Sequence, residues 1–176
     1  MEYFQVVCAG EFSLCFELPA WENIILQGTL SEPALHHAAL AIGALTRSRY
    51  YPDIWHTPQS IAFSIQHYSI AIQNLHHRLN VSSQSLEVAV VASVVFSYIE
   101  FLLGIDSRVE MHIQAGCAIL EKLNTTPDRT LAVPAQTESN CKVGILSTRY
   151  DLLADAMAQL TAQVNHTMEF RSKSNN

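Results

Sequence analysis

Charge is scarce in this sequence, and basic charge is scarcest. Charged residues fill 15% of 176 positions, with ten Lys and Arg against sixteen Asp and Glu, for a formal net charge of −6. Gripping a phosphate backbone takes a patch of Lys and Arg that displaces counterions. Here the basic residues are scattered along the chain, so unaided nucleic-acid binding is not expected. Glycine and proline, six of each, are too few for an all-β chain with its many tight turns. Catalytic signatures are missing as well: there is no GxSxG, no GxxxxGK[ST] and no GxGxxG after a strand. No local pattern assigns a nucleophile, a base or an oxyanion donor, and no catalytic or cofactor-binding residue is expected.

The four cysteines, Cys8, Cys15, Cys117 and Cys141, form no CxxC and have no histidine at zinc-finger spacing, whereas a closed structural zinc site needs about four ligands. Met1-Glu2-Tyr3 carries no positive start of a secretory signal, and Glu11 interrupts the first apolar stretch. Buried thiols in a reducing compartment, in a protein that is not secreted, are the expectation.

What is present is apolar and helical. Hydrophobic residues make up 49% of the chain, enough for one substantial core in a single domain. An all-α fold follows: an antiparallel bundle or array of about six to seven helices joined by short connections. Residues 4–16 are ambiguous, with helix favoured over strand. A short helix is predicted from Ala20 or Trp21 to Leu30. Ser31-Glu32-Pro33 reads as a helix start, with Ser31 or Glu32 capping and Pro33 in the first turn. That helix carries Leu35, Ala38, Ala39, Ile42 and Leu45 at steps of three and four and ends near residues 47–49.

Thr57-Pro58 opens the next helix. Its apolar stripe is Ile61, Ile65, Tyr68, Ile72, Leu75 and Leu79, a heptad seam predicted to face inward. Residues 86–103, LEVAVVASVVFSYIEFLL, are long enough to span a bilayer. Glu87, Glu100, Ser93 and Ser97, and the absence of flanking Lys or Arg, instead predict the most buried helix of the bundle, with no membrane. Gly104 is a natural residue just past its end. The next helix is capped by Asp106 or Ser107 and turns Val109, Ile113, Gly116, Leu120 and Leu123 inward. A glycine inside a helix costs about 1 kcal/mol relative to alanine, so close packing at Gly116 is the expected compensation. The predicted organisation is a helical core over 1–123, a polar loop over 124–142, a last helix over 143–165 and a flexible tail over 166–176.

Eight histidines, among them His36-His37, His67, His76-His77 and His112, invite a metal. Adjacent histidines on a helix point about 100° apart, and chelation wants i, i+3 or i, i+4 spacing. Glu32 and His36 are the one suitable carboxylate pairing at His36. Polar helix faces and local hydrogen bonds account for the histidines, and no metal ligand is expected. Glu100, an acid within an apolar run, either meets a Tyr or His partner or lies at a groove. The residues expected at an apolar pocket or interface are Trp21, Tyr68, Phe96, Glu100 and His112.

Four segments, in order, resemble the regulatory domain of fungal-specific transcription factors. SEPALHHAALAIGAL, residues 31–45, follows Trp21 and Ile25-Leu26-Gln27. His67-Tyr68 with Ala71-Ile72 and Leu75 is similar to an HYxxAIxxL helix. Phe96, Glu100, Leu102 and Gly104 resemble an FxxxExLxG helix, and His112, Gly116 and Ile119-Leu120 an HxxxGxxIL helix. The resemblance implies an all-α regulatory domain, nuclear in full-length members and often found in regulators of secondary-metabolite genes. Full-length members also carry a cluster of six cysteines holding two zinc ions and a basic linker. This sequence has neither, so no residue here inherits DNA or metal binding.

The expectation is a truncated or stand-alone regulatory domain, nuclear if it regulates and otherwise cytoplasmic. It would work through a protein partner, self-association or a small-molecule effector. The alternative is a small-molecule-binding helical accessory protein with no direct role in transcription. An upstream exon encoding the zinc cluster would leave this chain unchanged.

Overall fold

Proline sets the starting point of three helices. Its missing N–H and fixed φ suit the first helical position, where the donor would have no partner in any case. In a computed structural model of the chain, which describes residues 1–10, 19–50, 58–81, 86–125 and 151–166, the helices Pro19–Ser31 (α2), Pro33–Tyr50 (α3) and Pro58–Val81 (α4) each begin on proline. A helical segment, residues 2–10 (α1), precedes them and is wound as a π-helix over Phe4–Cys8. Leu86–Leu103 (α5), Asp106–Thr125 (α6) and residues 151–166 (α7) complete the described elements, with no strand among them. The predicted loop beyond Thr125, the start of the last helix and the tail from residue 167 lie outside the described residues.

Of the expected caps, that of α3 falls to Glu32 and not Ser31, and that of α6 is replaced. Ser31 belongs to α2, and its hydroxyl donates back to the Gln27 carbonyl at 2.9 Å. Glu32 alone separates α2 from α3, and its carbonyl accepts the His36 N–H at 2.9 Å. At α6 the position before the helix is held by Ile105, whose carbonyl accepts from Arg108 and Val109 at 3.1 and 3.3 Å. Between α5 and α6, Gly104 takes φ 75°. Its N–H reaches the Phe101 carbonyl at 3.1 Å, and the Ile105 N–H reaches the Glu100 carbonyl at 2.9 Å. That pair of bonds is the Schellman closure, which requires a left-handed residue at this position.

α3 lies at the centre and packs against α1, α2, α4 and α5, while α5 and α6 form a tight antiparallel hairpin. Ala34, Ala38, Ala39 and Ala41 of α3 are all buried, and small side chains are what let several helices approach one helix closely. α1 is fixed to α3 by the Cys8 thiol, 3.1 Å from Thr46 Oγ1. Eleven of the eighteen residues of α5 are buried in the protein interior. This helix has the length and apolarity of a membrane span, but its neighbours take up its surface.

α4 uses its apolar stripe only in part: Tyr68 is buried and Leu75 packs against the core, but the rest of the stripe does not follow. The residues it buries are Ser64, Tyr68 and Ala71, whereas Ile65, Ile72 and Leu79 are 50%, 44% and 38% exposed. The physical reason is the alanine face of α3. A close approach needs small residues on both helices, so Ser64 and Ala71 turn toward α3, and Ser64 Oγ donates to the Ala41 carbonyl at 3.1 Å. The isoleucine row, offset by one position, is carried outward.

The α3–α4 contact also holds a histidine pair, with His37 Nδ1 and His67 Nδ1 2.8 Å apart. One ring must donate and the other accept, so the contact requires at least one neutral imidazole. Burial and the neighbouring His67 and His36 lower the pKa of His37 from its ordinary 6.5. Burial and His36 lower that of His67.

At Gly116 an added Cβ would run into Ser93 Oγ and lie 2.7 Å from Met157 Cε, so α5, α6 and α7 converge at this glycine. Ser93 Oγ is itself committed to the Val90 carbonyl at 2.7 Å. Two outcomes are expected. Gly116→Ala gains helix propensity but overpacks this junction, with a net loss of about 1–2 kcal/mol in urea unfolding; an unchanged midpoint would show that the junction yields. Unfolding free energy is full above pH 6.5 and declines as pH drops through the lowered folded pKa values, because the unfolded chain then binds protons that the folded chain refuses. Replacing His67 with Gln makes that decline shallower, and an identical pH slope in the variant would contradict the assignment.

Candidate functional site

The outward turn of α4 creates a groove. α4 lies mainly along α3 and α6 along α5, so the two outer helices face each other across the surface of α5. The groove has a volume of about 450 Å³, within the 300–1,000 Å³ range of small-molecule sites. Ile72, Leu75 and Leu79 form one wall, Met111, Ala115 and Ile119 the other, and Ala89, Ser93, Phe96 and Glu100 of α5 the floor.

At one end the floor becomes polar. Tyr68 Oη donates to Glu100 Oε1 at 2.9 Å and lies 2.8 Å from His112 Nε2. The phenol has one proton and gives it to the carboxyl group, so His112 takes the Nε2–H tautomer and donates to the phenolic oxygen. Burial, reinforced by the hydrogen bond to Glu100 and its charge, pushes the Tyr68 phenol far above its ordinary value of 10.0. Burial lowers His112, against the pull of Glu100 and with the push of Arg108. Both groups are therefore neutral near pH 7. Phe96 closes the cluster, with its ring edge-on to Tyr68 at 5.2 Å and to His112 at 5.6 Å between centroids.

Glu100 is 1% exposed. Arg108 reaches its Oε1 from the rim at 3.5 Å, with a side chain 58% exposed. Oε2 is buried and has no hydrogen-bond partner. A buried acceptor left in that state costs about 1–3 kcal/mol.

Four of the five residues singled out from the sequence, Tyr68, Phe96, Glu100 and His112, thus meet at one place. Trp21 does not join them: it is buried in α2 as part of the core. Sequence reasoning missed Arg108 and the outer wall of Ile72, Leu79 and Met111. The Gly104 turn was the available signal for Arg108, since a closed turn folds the start of α6 back over the end of α5.

The other sequence candidates have structural occupations. Glu32 pairs with Arg78 at 3.3 Å, and His36 Nδ1 lies 3.3 Å from the Thr29 carbonyl. Among the described residues no three His, Cys, Asp or Glu side chains converge as metal ligands.

A sequence model described as the fungal-specific transcription factor domain matches residues 1–174. No curated protein and no solved structure matches the chain. Tyr68, Glu100 and His112 come from the three segments, other than residues 31–45, on which the family resemblance rests.

The polar cluster predicts an unequal pair of substitutions. Tyr68→Phe removes the main donor to a buried carboxyl group and lowers unfolding free energy by about 1–3 kcal/mol. Glu100→Met removes the orphaned acceptor with little change of volume, and His112 can switch tautomer to accept the phenolic proton. Its loss is smaller than that of Tyr68→Phe, or stability rises. Chemical denaturation of both variants checks the order, and the reverse order would refute the assigned donors.

Proposed function

The chain belongs to the family of fungal-specific transcription factor domains, and from that premise we propose that it regulates transcription through protein contacts or a bound effector, without DNA binding of its own. The regulatory role comes with the family. The observation that carries the finer reading is the groove between α4 and α6, a surface of ligand-site volume with a buried acid at its floor. The absence of DNA binding is supported by composition: a net charge of −6 with scattered Lys and Arg offers no footprint for phosphates. A nuclear location, and target genes belonging to secondary metabolism, are part of the proposal on the strength of the family resemblance.

A second reading is favoured by the same groove: a helical protein that binds a small molecule and has no direct part in transcription. Tethering separates the two. Fused to an unrelated DNA-binding domain beside a reporter gene, a regulatory domain changes reporter output by several-fold, and a mere binding protein leaves it at the level of the DNA-binding domain alone. The purified chain is expected to give no sequence-dependent anisotropy change with labelled duplex DNA at 150 mM salt. Tight, sequence-dependent binding there would overturn the proposed mode of action.

A further inference from the structure

We propose that the α4–α5–α6 groove binds a neutral amphiphile, an elongated apolar molecule carrying one hydroxyl or amide N–H that donates to Glu100 Oε2. This deepens the effector reading of the same site and rests on it. Three observations select the ligand. The walls are apolar along their length, through Ile72, Leu75, Leu79, Met111 and Ile119, and Ile72, Leu79 and Met111 are exposed. An elongated hydrocarbon body covers that surface. The floor ends in a carboxyl group that is 1% exposed and whose Oε2 has no partner. A buried acceptor calls for a single donor, and the apolar face of a docked helix would leave it unsatisfied.

The third observation is charge. Glu100 and Arg108 are the charged residues of the lining, and they already form a pair at 3.5 Å. A cationic head would meet the Arg108 guanidinium at the rim, and an anionic head would meet the Glu100 carboxyl group. A neutral donor leaves the pair balanced. Tyr68 and His112 spend their protons on one another and on Glu100 Oε1, so they hold the carboxyl group in place while Oε2 stays unclaimed. Arg108 is the group that yields to admit the head, since its contact is long and its side chain more than half exposed.

The test uses the full chain and four probes of one chain length: 1-decanol, decyl methyl ether, decylamine and decanoate. Calorimetric titration and thermal shift are read for each probe. The alcohol is expected to bind about tenfold more tightly than the ether, which keeps the oxygen but lacks the donor, in line with one charge-assisted hydrogen bond. Both charged probes are expected to bind more weakly than the alcohol. Glu100→Met abolishes the difference between alcohol and ether and retains the apolar affinity. Ala115→Trp fills the groove from an exposed position of α6 and abolishes binding of all four probes, which keeps the test decisive if the Glu100 variant fails to fold.

Equal affinity of alcohol and ether, preference for either charged probe, or full binding to Ala115→Trp would overturn the proposal. So would a wild-type dimer that Ala115→Trp converts to a monomer with no probe bound, which would make the groove an interface between copies. A tethered domain that regulates a reporter while the purified chain ignores decanol defeats the ligand assignment alone. One that binds decanol yet leaves the reporter unchanged defeats the regulatory reading alone.

Discussion

An eighteen-residue helix with almost no polar face must be surrounded, and meeting that requirement shapes the rest of this protein. α5 is apolar on every side, so a single neighbouring helix cannot cover it. α3 packs against one side, α6 returns along another through the Gly104 turn, and Met157 of α7 reaches the junction where Ser93 faces Gly116. Small residues recur at these contacts because three or four helices have to approach the same axis. Gly116 gives up helix propensity for that approach, a local disadvantage offset by packing that extends over several elements.

Within this apolar surface Glu100 is an exception whose position is held from several directions. Its carbonyl closes the Schellman turn, its Oε1 accepts from Tyr68, and Arg108 approaches from the next helix. The carboxyl group lies in the last turn of α5, where the helix dipole disfavours negative charge. A purely structural acid would be better replaced by a hydrocarbon of similar size, because burying a charge rarely returns what desolvation takes. An acid placed here with one oxygen unused is the local exception on which the proposed ligand site is built.

The groove exists because two packing demands conflict. α4 carries a seam of large apolar residues that suits a partner helix, yet the alanine face of α3 asks for small ones. Ser64 and Ala71 make the closer contact, so Ile65, Ile72 and Leu79 face outward. An expectation drawn from the periodicity of α4 alone is met by Tyr68 and Leu75 and missed by Ile65, Ile72 and Leu79, because periodicity identifies a face without identifying which neighbour competes for it. The same rotation brings Tyr68 to the boundary between core and groove, where it serves both.

The sequence by itself determined the helices, most of their limits and the chemical character of the chain. Prolines at 33 and 58, Gly104 after an apolar run and the periodicity of α6 are local signals, and local backbone energetics act on them directly. The low basic charge and the order of the four family-like segments were equally legible. So were four of the five residues that met at the candidate site, since an acid in an apolar run and aromatic residues near histidines stand out from their surroundings. Only the tertiary structure decided that Trp21 belongs to the core, that Arg108 reaches Glu100, that Ile72 and Leu79 form an outer wall and that Oε2 is left without a partner. Those outcomes depend on the rotation of each helix about its axis. That rotation is set by competition between whole helix faces for close contact, a property of pairs of helices that no single segment carries.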